Sequence, residues 1–165
     1  MGNGGQTFRL MLVLLWTMFL WAICFAAVAQ AQCSNDQITL RGDWGQARFS
    51  IEVADNAESR ARGLMYRESL PTMAGMLFVY PAPKPVGFWM KNTLIPLDML
   101  FIDPTGTVTS LHHMAIPHDE RPIFGGDDTL AVLEINGGLA RRMGITAGTQ
   151  VQHPGLPQDS AAWGC

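Results

Sequence analysis

From Gly75 onward, proline or glycine cuts every apolar stretch of the chain at about the length of one strand. MLFVY (residues 76–80) runs into PAPKP, a proline-rich turn that no central strand could contain. VGFWM (86–90) and LDMLFID (97–103) follow, and Pro104-Thr105-Gly106 makes a tight turn into a returning strand at 107–114. A long loop rich in Pro, Gly and Asp spans 115–128, TLAVLEI (129–135) is a further strand, and a last one surrounds Val151. Upstream, Phe49, Ile51 and Val53 alternate with Arg48, Ser50 and Glu52, the period of a half-buried strand. Two short helices are expected. One starts at Asp55, with an acid three residues later at Glu58, and ends near Gly63 or Leu64. The other covers 139–143, stopped by Gly144. This pattern predicts a mainly β domain, a compact sandwich or partly closed barrel. Several strands are apolar on both faces, so the sheet should be covered on both sides for part of its length.

The amino terminus points to export. Residues 10–28 carry no charge, Arg9 precedes them, and the run ends in AVAQAQ, with small-x-small sites at Ala29 and Ala31. A cleaved secretory signal over 1–31 is expected, with an uncleaved inner-membrane anchor as the alternative; no lipid-attachment box precedes Cys24 or Cys33. The product would be periplasmic or secreted, meeting a membrane only through this segment if it is retained. The remaining chain, about 135 residues, suits one domain. Its expected parts are a linker and short first strand (32–46, with the strand near 38–40), the β-rich domain (47–152) and a mobile tail (153–165). Losing Arg9 takes the net charge from −3 to about −4, which offers no footprint for nucleic acid. Cys33 and Cys165 remain near the two ends. In an oxidising compartment they could bridge, or they could be free thiols on frayed ends.

The residues with chemical potential are charges set inside apolar runs. In LDMLFID, Asp98 shares a face with Leu100 and Ile102; in TLAVLEI, Glu134 falls with Leu130 and Val132; in FWMK, Lys91 falls with Trp89. An unpaired buried charge costs several kcal/mol, comparable with a domain's whole stability of roughly 5–15 kcal/mol. Lys91, Asp98 and Glu134 are therefore expected to converge, joined by at least one of Arg60, Arg62 and Arg67. Such a cluster could be a structural pin. It could be a ligand pocket of Arg60, Trp89, Lys91, Asn92, Asp98 and Glu134, with Trp89 as apolar wall. It could also be a catalytic centre, with Glu134 or Asp98 as general base and Lys91 as electrostatic stabiliser. No nucleophile elbow, phosphate-binding loop or His-Glu-x-x-His occurs.

A metal function is a separate possibility. Met65, Met73, Met76, Met90, Met99, Met114 and Met143, with His112, His113 and His118, offer thioether and imidazole ligands suited to Cu(I). Methionine is also an adaptable core filler, and these residues sit at apolar positions. No metal or other cofactor is expected. The preferred reading is an exported, non-catalytic module that binds a small molecule, glycan or protein partner.

Five segments carry a family resemblance: RARGLMYRESL (60–70), GMLFVY (75–80), FWMKNTLIPLDMLFID (88–103), VLEINGG (132–138) and GITAG (144–148). Together they resemble the domain of unknown function 192 family, across about residues 51–151. The resemblance implies a compact, mainly β domain with a few short helices, often behind a signal peptide. It implies no activity. Trp89, Met90, Lys91, Asn92, Thr93, Asp98 and Glu134 match motif positions without an assigned role, and the segment holding the histidines matches less well.

Overall fold

A computed structural model describes residues 33–165; the expected export segment lies outside the described residues. The strands are β1 (Gln37–Gly42), β2 (Gly45–Ala54), β3 (Ala74–Lys84), β4 (Gly87–Phe88), β5 (Leu97–Ile102), β6 (Val108–Ala115), β7 (Ile123–Phe124), β8 (Thr129–Asn136) and β9 (Gln150–Gln152). The helices are α1 (Ala57–Arg62) and α2 (Leu139–Met143). Seven strands form one sheet in the order β6-β5-β8-β3-β2-β1-β9, and β4 pairs with β7 in a separate ribbon. The large sheet curls into a half-barrel. Its two edges meet at one end, where Thr107 bridges Gln150, Val108 N–H donates to Thr149 O (2.8 Å) and Val151 N–H donates to Gly106 O (2.8 Å). Past that point β6 pairs only with β5. Of the two architectures expected, the molecule takes the partly closed barrel.

Neighbouring strands are antiparallel except β2 and β3, which run parallel in register Ser50↔Ala74 to Ala54↔Phe78. A parallel pair needs a crossover, and α1 with its following loop supplies it. The capping box forms one residue later than the acidic pattern suggested: the Asn56 side chain accepts from Ser59 N–H (2.9 Å), and Ser59 Oγ accepts from Asn56 N–H (3.3 Å). Asn56, in an extended conformation, presents its amide oxygen to the orphan donors where Asp55 does not. β3 also runs on through the prolines to Lys84, with a register irregularity after Val79. β2 ends opposite Phe78, so beyond it one side of β3 is a free edge and proline leaves no ladder bond unmade.

Every residue of β5 is buried, as are all but the last of β8, because both faces of the central sheet are covered. On the concave face Ile38, Leu40, Phe49, Leu77, Leu100 and Leu133 pack with Val151 and Leu156. On the convex face Met76, Phe78, Phe88, Met90, Met99 and Phe101 pack beneath the β4–β7 ribbon. Phe88 stands edge-on to both Phe78 (centroids 5.0 Å apart) and Phe101 (6.1 Å). Burying each large side chain contributes roughly 1.5–3 kcal/mol.

The segment expected to be a mobile tail packs against the barrel. His153 is only 2% exposed; its Nδ1 accepts from Gly155 N–H (2.9 Å) while Nε2 lies 3.2 Å from Asn35 O. Leu156 enters the concave core, the Arg41 guanidinium lies 4.2 Å over the Trp163 ring, and Cys165 forms a disulfide with Cys33 across a Cα–Cα distance of 5.7 Å. The tail's glycines and prolines read as loose chain because its anchors lie far away in sequence.

Candidate functional site

The three charges expected to converge are separated by the sheet itself. On β5 and β8 the register pairs Asp98 with Ile135 and Met99 with Glu134. Side chains alternate along a strand, so Asp98 points with Leu100 into the concave side and Glu134 with Met99 into the convex side. Lys91 belongs to neither. It is exposed, with Nζ 5.6 Å over the Trp89 ring and 3.9 Å from Glu120.

Asp98, wholly buried, is committed to backbone. Oδ1 accepts from Met114 N–H and Gly138 N–H, and Oδ2 from Ala140 N–H, each at 2.8 Å. The register between β5 and β6 shifts by one between Leu97↔Ala115 and Met99↔His112, so the carboxylate sits at a bulge. It satisfies Met114, which is held at φ 55°, and donors at the start of α2. The structural reading is the one that fits this residue.

Glu134 is the opposite case. It is 4% exposed, lies between Met76 and Met99 in the sheet, and has no hydrogen-bond or ion-pair partner among the described residues. Burial in these surroundings pushes its pKa up to about 8. It sits at the bottom of a small cleft of about 70 Å³ between α1 with its following loop, β3, β8 and the β4 region. Phe78 and Phe88 wall the cleft, Arg60, Arg62 and Thr93 add polar groups, and Trp89, 51% exposed, stands at its edge. Gly63, at φ 49°, ends α1 where a Cβ would come within 3.1 Å of the Phe78 ring, so the chain can turn closely over this wall. Arg60 donates to Val79 O (2.9 Å) and lies 5.1 Å over Tyr80.

The structure thus brings Arg60, Trp89 and Glu134 together out of the six residues proposed for a pocket. Asn92 stands next to it: held at φ 54°, it accepts Tyr66 N–H at its carbonyl (2.8 Å) and so ties the loop after α1 to the loop after β4. Of the three arginines offered as partners for the cluster, Arg60 and Arg62 line this cleft with Glu134; sequence reasoning did not place Phe78, Phe88 and Thr93 there, because nothing in their spacing marks them as facing Glu134. Arg67, another candidate partner, pairs instead with Glu52 (2.6 Å between Nη2 and Oε2).

Met90 and Met99 are fully buried in the convex core, and no group of three His, Cys, Asp or Glu side chains able to hold a metal occurs among the described residues. His112, His113 and Met114 line a separate open cleft of about 470 Å³ with Asp119 and Arg121. His113 Nδ1 is buried there without a hydrogen bond, 3.8 Å from Asp98.

Two solved structures are similar over most of their length. A protein of unknown function from Novosphingobium aromaticivorans is 41% identical, with a TM-score of 0.69 over 76% of this chain and 88% of its own. A chain from Sinorhizobium meliloti, assigned only provisionally as a transcription regulator, is 36% identical, with a TM-score of 0.72 over 78% of this chain and 100% of its own. No curated protein matches. The model of the family DUF192, described as an uncharacterized ACR, matches residues 38–153. The chain belongs to the DUF192 family, domain of unknown function 192.

Proposed function

We propose that this protein is an exported, non-catalytic binding module whose ligand enters the cleft above Glu134. One observation carries the reading: the Glu134 carboxyl group, on a residue only 4% exposed and with no protein partner among the described residues, reaches the bottom of an opening. An acid held among apolar residues with no protein partner costs stability that packing with an apolar residue would not. A ligand group supplies the missing partner. Trp89 at the edge offers a rigid, largely exposed face for the rest of that ligand.

The lining supports binding over catalysis. Glu134 is the only carboxylate in the cleft, and no histidine or cysteine lines it. Asp98, the other acid considered as a base, has both oxygens occupied on the opposite face. The disulfide between Cys33 and Cys165 supports an oxidising compartment, in line with the export signal read at residues 1–31. The acidic balance of the chain gives no support for DNA as a partner.

A thermal-shift panel of neutral, acidic and basic small molecules tests the site. At least one class should stabilise the protein and lose about tenfold or more in affinity in both Glu134→Ala and Trp89→Ala. A ligand indifferent to both changes would move the site elsewhere, and silence across the panel would refute the reading. Cell fractionation with intact mass checks export: the mature chain should begin after Ala29 or Ala31.

A further inference from the structure

The cleft is electrically lopsided. Arg60 and Arg62 line it, and Glu134 is the only acid that does. Arg60 uses one nitrogen on Val79 O and keeps other N–H donors free, while Arg62 makes no side-chain hydrogen bond or ion pair among the described residues. Glu134, flanked by Met76 and Met99, is in surroundings that favour the neutral acid, which donates a hydrogen bond where a carboxylate could only accept. A donor at the bottom of a cleft lined by two arginines matches an acceptor carrying negative charge, whereas an ammonium group would meet two like charges.

We propose that the cleft receives an oxyanion, the carboxylate or phosphate end of a larger molecule, which pairs with Arg60 and Arg62 and accepts a hydrogen bond from the Glu134 carboxyl. The proposal presupposes the binding site described above and names its ligand chemistry. The size agrees: about 70 Å³ admits such a group, leaving the remainder of the molecule to lie against Trp89.

Binding should then depend on pH through Glu134 alone. The charged or titratable groups around it are Arg60 and Arg62 from α1 and Tyr80 from β3; the phenol is raised above its usual value by burial, against the pull of Arg60. Lys91, next to Trp89, faces Glu120. Met76, Phe78, Phe88, Met99 and Thr93 carry no charge. None of these groups changes state between about pH 6 and 9. With the Glu134 pKa at about 8, roughly one molecule in ten retains the proton at pH 9, so oxyanion affinity should drop about tenfold from its value at pH 6.5.

The experiment titrates acetate, inorganic phosphate and methylammonium into the purified protein and follows the Trp89 indole N–H by NMR at both pH values. Acetate or phosphate should bind at pH 6.5, and which of the two binds identifies a carboxylate or a phosphate ligand. Acetate, ionised throughout, should weaken about tenfold at pH 9 in the native protein and remain equal at both pH values in Glu134→Gln, whose amide keeps a donor. Joint replacement of Arg60 and Arg62 by Gln should weaken either anion. Methylammonium binding more tightly than both anions, or acetate binding that ignores pH in the native protein, would overturn the oxyanion while leaving the cleft as a binding site. Silence from all three probes and from the wider panel would remove both.

Discussion

Replacing Glu134 by Gln should change how stability depends on pH, by an amount the structure fixes. In the unfolded chain Glu134 ionises near its ordinary value of 4.5, and in the fold near 8. Between those limits the native state holds a proton that the unfolded state has lost, so stability falls as pH rises. The slope is at most about 1.4 kcal/mol per pH unit. From about pH 5.5 to 7.5 the native protein should therefore lose roughly 2–3 kcal/mol through this group, a large part of the roughly 5–15 kcal/mol typical of a domain. His153 acts in the other direction. Burial, partly opposed by its bond to Asn35 O, depresses its pKa, so it removes stability as pH falls through its unfolded value of 6.5. That contribution is common to both proteins and cancels in their difference. Urea denaturation of the oxidised native protein and of Glu134→Gln, at half-unit pH steps, is the assay. The two should lie closest near pH 5, with Gln increasingly the more stable as pH rises. Parallel curves would mean that Glu134 is solvated or paired in the fold, and the argument for an unpartnered acid would fail.

Three further perturbations address the frame. Asp98→Asn replaces one acceptor oxygen by a donor against buried N–H groups and should cost about 2–4 kcal/mol in urea denaturation; a loss under about 0.5 kcal/mol would contradict its role at the bulge. Reducing the Cys33–Cys165 bond, which spans 132 residues of sequence, should lower stability by about 2–5 kcal/mol and add two mass units for the two hydrogens gained; no change in midpoint would show that the ends are held by packing alone. Gly125→Ala would place a methyl group into the Phe101 ring, which the β4–β7 side of the core cannot yield without moving, so a loss of about 1–3 kcal/mol is expected by thermal unfolding.

Local periodicity carried much of this architecture into view. The alternation at 47–53 placed β2, the apolar run at 129–135 placed β8, and Gly144 marked the end of α2. Two-sided burial of β5 and β8 also followed from runs without a polar face. Convergence of Lys91, Asp98 and Glu134 did not follow, because within each strand parity fixes only a relative face. Which faces of β5 and β8 coincide depends on register, and the observed pairing of Asp98 with Ile135 puts the two acids on opposite sides. The same limit hid Asp98's partners, which are main-chain donors that any sequence contains. It also hid β7, whose two residues leave no periodic trace within the expected loop and which pairs with β4 inside the strand expected at 86–90. Glu134 was legible as an oddity from its neighbours, but its solitude is a three-dimensional fact.

The Cys33–Cys165 bond turns residues 33–165 into a closed loop of chain. Cutting that loop once, for instance in the exposed proline stretch after Tyr80, would leave two pieces still tethered and the sheet order unchanged. A protease in the surroundings would have to cleave twice, or find a reductant, before any fragment could drift away. A nicked population would run at full size until a thiol was added.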